Sequence, residues 1–167
     1  TIKLTKELWI EKADFMEEPT KKYFRLFPGN QVRLRYGYVV TCKGFEKNKN
    51  GDIIKVLCEY LPNTKSGTPG SDSVKVKGNI HWVSTKYALD AEVFLYDRLF
   101  KVEHPGVESE NYIDDINQES VKKIKIKMEE NLANLKPNDQ YQFERHGYFI
   151  CDKDSTFDNP KINRTVT

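Results

Sequence analysis

The sequence predicts an all-β protein made of two small antiparallel β-barrels with one short helix. Apolar residues recur with period two rather than with the helical period. Short strands are many, and no strand–helix–strand rhythm runs through them. An irregular acidic stretch at 103–119 separates two strand-rich blocks.

The elements follow in order. Leu8-Trp9-Ile10 opens a short strand. Glu17 to Leu26 reads as a helix of about two turns, and Pro28-Gly29-Asn30 as a turn. Gln31 to Glu46 is a long strand bent at Gly37 or Gly44, because glycine inside a strand marks a bulge. Asn50-Gly51 tips a hairpin whose return strand is Ile53 to Tyr60. Pro62 to Ser73, rich in Pro, Gly, Ser, Thr and Asn, is a polar surface loop. Val74 to Ser84 and Ala91 to Leu99 are strands, and the stretch 78–100 reads as a hairpin. Val121 to Met128 alternates. Asn131 to Asp139 is a turn or short helix. Tyr141 to Cys151 bends around His146-Gly147, and Lys161 to Val166 is the last strand.

The 167 residues suit one compact domain or two small ones. Basic residues number 27 and acidic ones 25, so a net charge of +2 does not announce a nucleic-acid binder; local distribution must decide. Cys42, Cys58 and Cys151 are odd in number and widely spaced, which argues against a disulfide framework. No CxxC or CxxH pair supplies a zinc site. The three read as small hydrophobes in strands, as in a protein of the reducing cytoplasm. Asn163-Arg164-Thr165 matches a glycosylation acceptor, a pattern common by chance. No run of 18 apolar residues and no signal peptide appears, so no membrane is expected. The sequence starts at Thr1 rather than Met and reads as a piece of a longer chain.

Catalytic residues are not expected. His81, His104 and His146 are scattered, and His81 reads as a hydrogen-bonded strand histidine. There is no GxSxG, HExxH, Walker loop or GxGxxG. Asp114-Asp115 reads as a solvated turn. No metal ligand set and no cofactor site is expected in this chain.

Basic clustering says more. From Pro19 through Phe45 there is no acidic residue, and Lys21, Lys22, Arg25, Arg33, Arg35 and Lys43 lie among Tyr23, Phe24, Tyr36 and Tyr38. Arg33 and Arg35 share a face if both lie on a strand. Lys21 and Arg25 share one if both lie on a helix. Such a patch suits phosphates and unstacked bases. An ordinary solvated face, with arginines paired to Glu17, Glu18 or Glu46, fits the same residues. Lys123, Lys125 and Lys127 alternate with Ile124, Ile126 and Met128, the pattern of an edge strand protected by lysines. Gln142, Glu144 and Arg145 offer donors and acceptors suited to base edges; a plain polar face is equally consistent with them.

The stretch HWVSTKYALDAEVFLYDRLF resembles the C-terminal anticodon-binding region of the glutaminyl-tRNA synthetases, class I aminoacyl-tRNA synthetases. IEKADFMEE at 10–18, VRLRYGYVV at 32–40, QFERHGYF and NRTV at 163–166 agree in the same order. The resemblance implies two barrels of a kind shared with a ribosomal protein family. The distal one takes 17–104, and the proximal one takes 1–16 with 105–167. It implies that the partner is the anticodon loop of tRNA(Gln), with splayed bases held in separate pockets. Matched motif by motif, Lys21, Lys22, Arg25, Arg33 and Arg35 fall on the first RNA surface, and Gln142, Glu144 and Arg145 on the second. The sequence departs from the bacterial pattern at Lys22, where a glutamine stands, and at Phe24, where a lysine stands. The resemblance further implies a parent ligase that uses ATP and Mg²⁺ in a catalytic Rossmann domain, with a multi-synthetase assembly as a further partner. It makes the 78–100 stretch framework: Ile80, Trp82, Val93, Phe94 and Leu95 in the core, with Asp97 paired to Arg98. The same architecture also fits a glutamyl-tRNA synthetase, a ribosomal RNA-binding barrel or a protein-interaction module.

Overall fold

A computed structural model describes residues 2–107, 109 and 111–166. The strands are β1 (Leu8–Ile10), β2 (Gln31–Leu34), β3 (Val39–Lys47), β4 (Ile53–Tyr60), β5 (Gly78–Ile80), β6 (Trp82–Ser84), β7 (Leu89–Tyr96), β8 (Val121–Met128), β9 (Gln140–Phe143), β10 (Gly147–Cys151) and β11 (Lys161–Val166). They fall into two units, Thr1–Lys86 and Tyr87–Thr167.

In the first unit β1 pairs antiparallel with β6, and a four-stranded sheet runs β4-β3-β2-β5. Alternation builds its core. Val32 and Leu34 point inward from β2 while Gln31 and Arg33 stay partly exposed. Phe15, Leu26, Val40, Cys42, Ile80 and Trp82 close around them. Each fully buried Val, Leu or Ile there contributes about 2 kcal/mol. In the second unit one sheet runs β8-β7-β11-β10-β9, with Val93, Phe149 and Ile162 at its centre. β8 lies at its edge, as its lysines predict. Lys123 and Lys127 cross to Glu92 and Asp90 on β7, at 2.7 and 2.6 Å.

The all-β expectation holds, with corrections. The sheets do not close on themselves, so the units are β domains rather than barrels. They are mixed rather than antiparallel, because β2 pairs parallel with β5, and β11 with β7. The helix at 17–26 is absent; among the described residues the helical elements are 3-10 turns at Lys12–Asp14, Tyr112–Asp115 and Glu130–Leu132. Pro19 disfavours helical geometry at Glu18, and Lys22, with φ +71°, breaks any right-handed turn that follows. Leu26 is instead drawn into the core, its amide bonded to the Asp14 carbonyl at 3.0 Å.

The stretch 78–100 is no hairpin. β5 and β6 belong to the first unit, and β7 pairs with β8 and β11 in the second. The two compact units meet in sequence at Lys86–Tyr87. Of the framework residues, Ile80 and Trp82 reach the first core and Val93 the second, with Leu95 packed against it; Phe94 alternates to the other side of β7, half-buried near Lys123. Asp97 accepts the Arg98 backbone amide at 2.7 Å. Cys42 and Cys151 are buried as small hydrophobes, but Cys58 is exposed on β4, opposite Cys42. Asn163 is held at both ends of its amide, donating to Asp152 at 2.6 Å and accepting from the Tyr96 hydroxyl at 2.7 Å.

Candidate nucleic-acid interface

The β2–β3 turn is the best-defined cationic feature of the first unit. The predicted long strand stops at Leu34, and Arg35-Tyr36-Gly37-Tyr38 turns back into β3. Leu34 N–H donates to the Tyr38 carbonyl at 2.9 Å, and Gly37 N–H to the Leu34 carbonyl at 2.7 Å. Gly37 sits close against β2: a Cβ there would stand 3.2 Å from the Leu34 Cβ, so Leu34 would have to give by a few tenths of an ångström.

Arg33 and Arg35 do not share a face. Arg33 turns onto the 62–73 loop. Its Nη1 donates to the Thr64 carbonyl at 2.5 Å and its Nη2 to the Ser71 carbonyl at 2.6 Å. Gly37 and Ser66 accept longer bonds from the same guanidinium, at 3.4 and 3.5 Å. Ser66 closes the weld by donating its amide and hydroxyl to the Gly37 carbonyl, at 2.9 and 3.1 Å. A planar fork with five donors suits this work. Arg33 is thus a clamp that fixes the turn to the loop.

Arg35 is presented outward. Its backbone is pinned on both sides: its amide donates to the Ile80 carbonyl at 2.9 Å, and its carbonyl accepts Trp82 Nε1 at 2.9 Å. Its guanidinium lies over the Tyr36 ring, with Cζ 4.9 Å from the centroid, and donates to the Tyr36 hydroxyl at 3.2 Å. Tyr36 has φ +58°. This left-handed region costs a residue with a Cβ about 1 kcal/mol or more.

Arg25 is bonded to Asp14, which is fully buried. The Arg25 side chain keeps about a third of its surface exposed, so it presents one side outward while neutralising a buried carboxylate. The segment is located by Gly78: a Cβ there would stand 2.0 Å from the Phe24 carbonyl oxygen and 2.7 Å from Val32 Cγ1. Asn30 adds a bond from Nδ2 to the Arg25 carbonyl at 2.7 Å. Lys21 and Lys22 are exposed on the turn after Pro19, Lys22 with φ +71°. Lys77 Nζ stands 5.2 Å from the centroid of the exposed Phe24 ring. Of the acids suggested as partners of the arginines, Glu17 meets Lys47 instead, at 2.5 Å.

In the second unit β9 and β10 form a hairpin. Gln142 is exposed on β9, and Glu144 and Arg145 are exposed in the turn, so Gln142 and Glu144 do not share a strand face. Arg145 has φ +74° and Gly147 +114°, a tight reversal closed by His146 N–H on the Phe143 carbonyl at 2.9 Å. Phe143 roots the hairpin by stacking on Phe149, centroids 4.7 Å apart.

A family model described as tRNA synthetases class I (E and Q), anti-codon binding domain, matches residues 79–152. A second model of the same description matches residues 1–61. The chain belongs to this anticodon-binding family. Both groups of cations lie in the matched stretches. The relatives it resembles include the glutamine--tRNA ligases of Cupriavidus metallidurans, 57% identical, Ralstonia nicotianae, 56%, and Bordetella pertussis, 54%, each over 164 residues. Those alignments take in 98% of this chain and 28% of each relative, so the chain spans little more than a quarter of their length.

Within this anticodon-binding chain, three features were hidden in the sequence. The buried Asp14 partner of Arg25, the carbonyl partners of Arg33 and the strained backbone of Tyr36 all depend on contacts or angles with no local signature. Only the YG pair at 36–37 signals a turn. Among the described residues no three His, Cys, Asp or Glu side chains gather as a metal set, and no helix is long and apolar enough to cross a membrane.

Proposed function

We propose that this chain grips the anticodon loop of a glutamine tRNA, as part of a ligase that joins glutamine to that tRNA in the cytoplasm. The observation that carries the reading is the pinned, outward-facing Arg35 on the β2–β3 turn, within a stretch matched to the anticodon-binding family. A guanidinium held on fixed backbone can fork onto a base edge or phosphate without first paying the entropy of ordering. Arg25, Lys21 and Lys22 extend this surface, and Gln142, Glu144 and Arg145 form the second contact. Arg33 serves by holding the turn in place. The sequence has no phosphate-cradling glycine loop, and among the described residues no carboxylate cluster suited to Mg²⁺ gathers. Aminoacylation is therefore assigned to the rest of the parent enzyme.

Arg35→Ala is the test. Arg25→Ala is a poorer probe, because it strands the buried Asp14 charge and threatens the fold. Arg35→Ala is expected to weaken binding of a glutamine tRNA about tenfold with the melting temperature unchanged. Unchanged binding would remove Arg35 from the interface. Loss of binding to a protein partner, with RNA binding intact, would favour an interaction module.

A further inference from the structure

We infer that Tyr36 is a stacking platform for one unpaired base of the bound RNA loop, with Arg35 holding its ring in place. This rests on the anticodon reading and adds a residue and a contact type to it. Tyr36 is 63% exposed, so the core gains little from it. Its φ of +58° is a conformation that bulky side chains seldom adopt and that glycine or asparagine adopts readily. The fold therefore has no use for tyrosine at this position. Backbone strain in a large exposed aromatic points to a ligand instead.

The surroundings say which ligand. The Arg35 guanidinium lies 4.9 Å from the ring centroid and bonds the hydroxyl, fixing the ring's direction before any partner arrives. The turn beneath is welded by Arg33 and Ser66 and pinned by Trp82. A rigid aromatic joined to an arginine fits an unstacked nucleobase, whose ring stacks on such planes while its phosphate meets the cation. A protein partner would call for a wider apolar surface around the ring. Here the turn offers Arg35 and the buried Gly37 on either side.

The experiment opposes stability to affinity. Tyr36→Asn relieves the strained backbone, so its melting temperature is expected to equal that of the wild type or exceed it by about 4 °C. Its affinity for a glutamine tRNA is expected to fall at least about fivefold, with an unchanged slope against salt because no charge is lost. Tyr36→Phe keeps the ring and is expected to bind within about twofold of the wild type. Transcripts made abasic at one anticodon-loop position at a time identify the stacked base: at that position Tyr36→Asn and wild type bind alike. Wild-type affinity in Tyr36→Asn would overturn the inference, as would a loss of melting temperature parallel to the loss of affinity. A wild-type chain that binds no tRNA would overturn the anticodon reading as well.

Discussion

Arg33 and Arg35 stand two apart yet do different work. The alternation rule that would align them holds only inside a strand, and β2 ends between them at Leu34. Removing the Arg33 guanidinium leaves the carbonyls of Thr64 and Ser71 without their clamp, and Thr64 is buried. Arg33→Ala is therefore expected to cost about 2 kcal/mol in chemical denaturation. The amides of Ser66 and Ser71 should also exchange faster with solvent. A variant that weakens RNA binding with unaltered loop protection would contradict the clamp and make Arg33 a direct contact. Gly78 is the second telling position. A Cβ within 2.0 Å of the Phe24 carbonyl must push the 20–26 segment off β5. Gly78→Ala is expected to cost about 3 kcal/mol; a melting curve like the wild type's would show that the close approach is not needed. Neither role is written locally. Gly78 lies inside the stretch Val74 to Ser84, which reads as one strand, and its neighbour Phe24 lies 54 residues away in the chain.

Elements were legible where pattern is local. Val121 to Met128 alternates Lys with Ile, and it is an edge strand with the bounds expected. The hairpin at Asn50-Gly51 is likewise a local turn signal, and β3 and β4 flank it. Pairing between distant strands was not legible. The parallel partners β2 with β5 and β7 with β11 are chosen by packing, so periodicity is silent about them. One such junction should respond to acid. Asn163 donates to the Asp152 carboxylate, tying β11 to the end of β10, and the Asp154 amide adds a second bond. The Asn163 bond, then the backbone bond, hold the Asp152 carboxyl below its ordinary range. A depressed folded-state value means the stabilisation is complete above the unfolded carboxyl's titration, at about pH 4, and is lost as pH falls through the folded value. Asp152→Asn is expected to lower the melting temperature at neutral pH, with the gap to wild type closing as pH falls below the ordinary carboxyl range. A gap that does not change with pH would mean that the carboxylate's charge is not what holds the strands.

At the scale of the molecule, the sequence carries enough to place the chain in its family, because long motifs appear in order. It does not carry the division into units: residues 1–16 go with the first unit through β1 and β6, a pairing across 72 residues or more. The proposed RNA surface shows in the sequence as charge and aromatics between Pro19 and Phe45. Which cations face outward was not, since Arg33 and Arg25 find their partners only once the loop and the 12–14 turn are folded against them. The fixed side chains of these turns are proposed to read bases and not merely to hold a phosphate backbone. The most direct test compares binding of the chain to a glutamine tRNA and to a copy with the middle anticodon base changed, over a salt series. Base readout predicts a preference for the native anticodon that persists as salt rises. Equal affinities with the same steep salt slope would contradict it, leaving only a grip on the backbone.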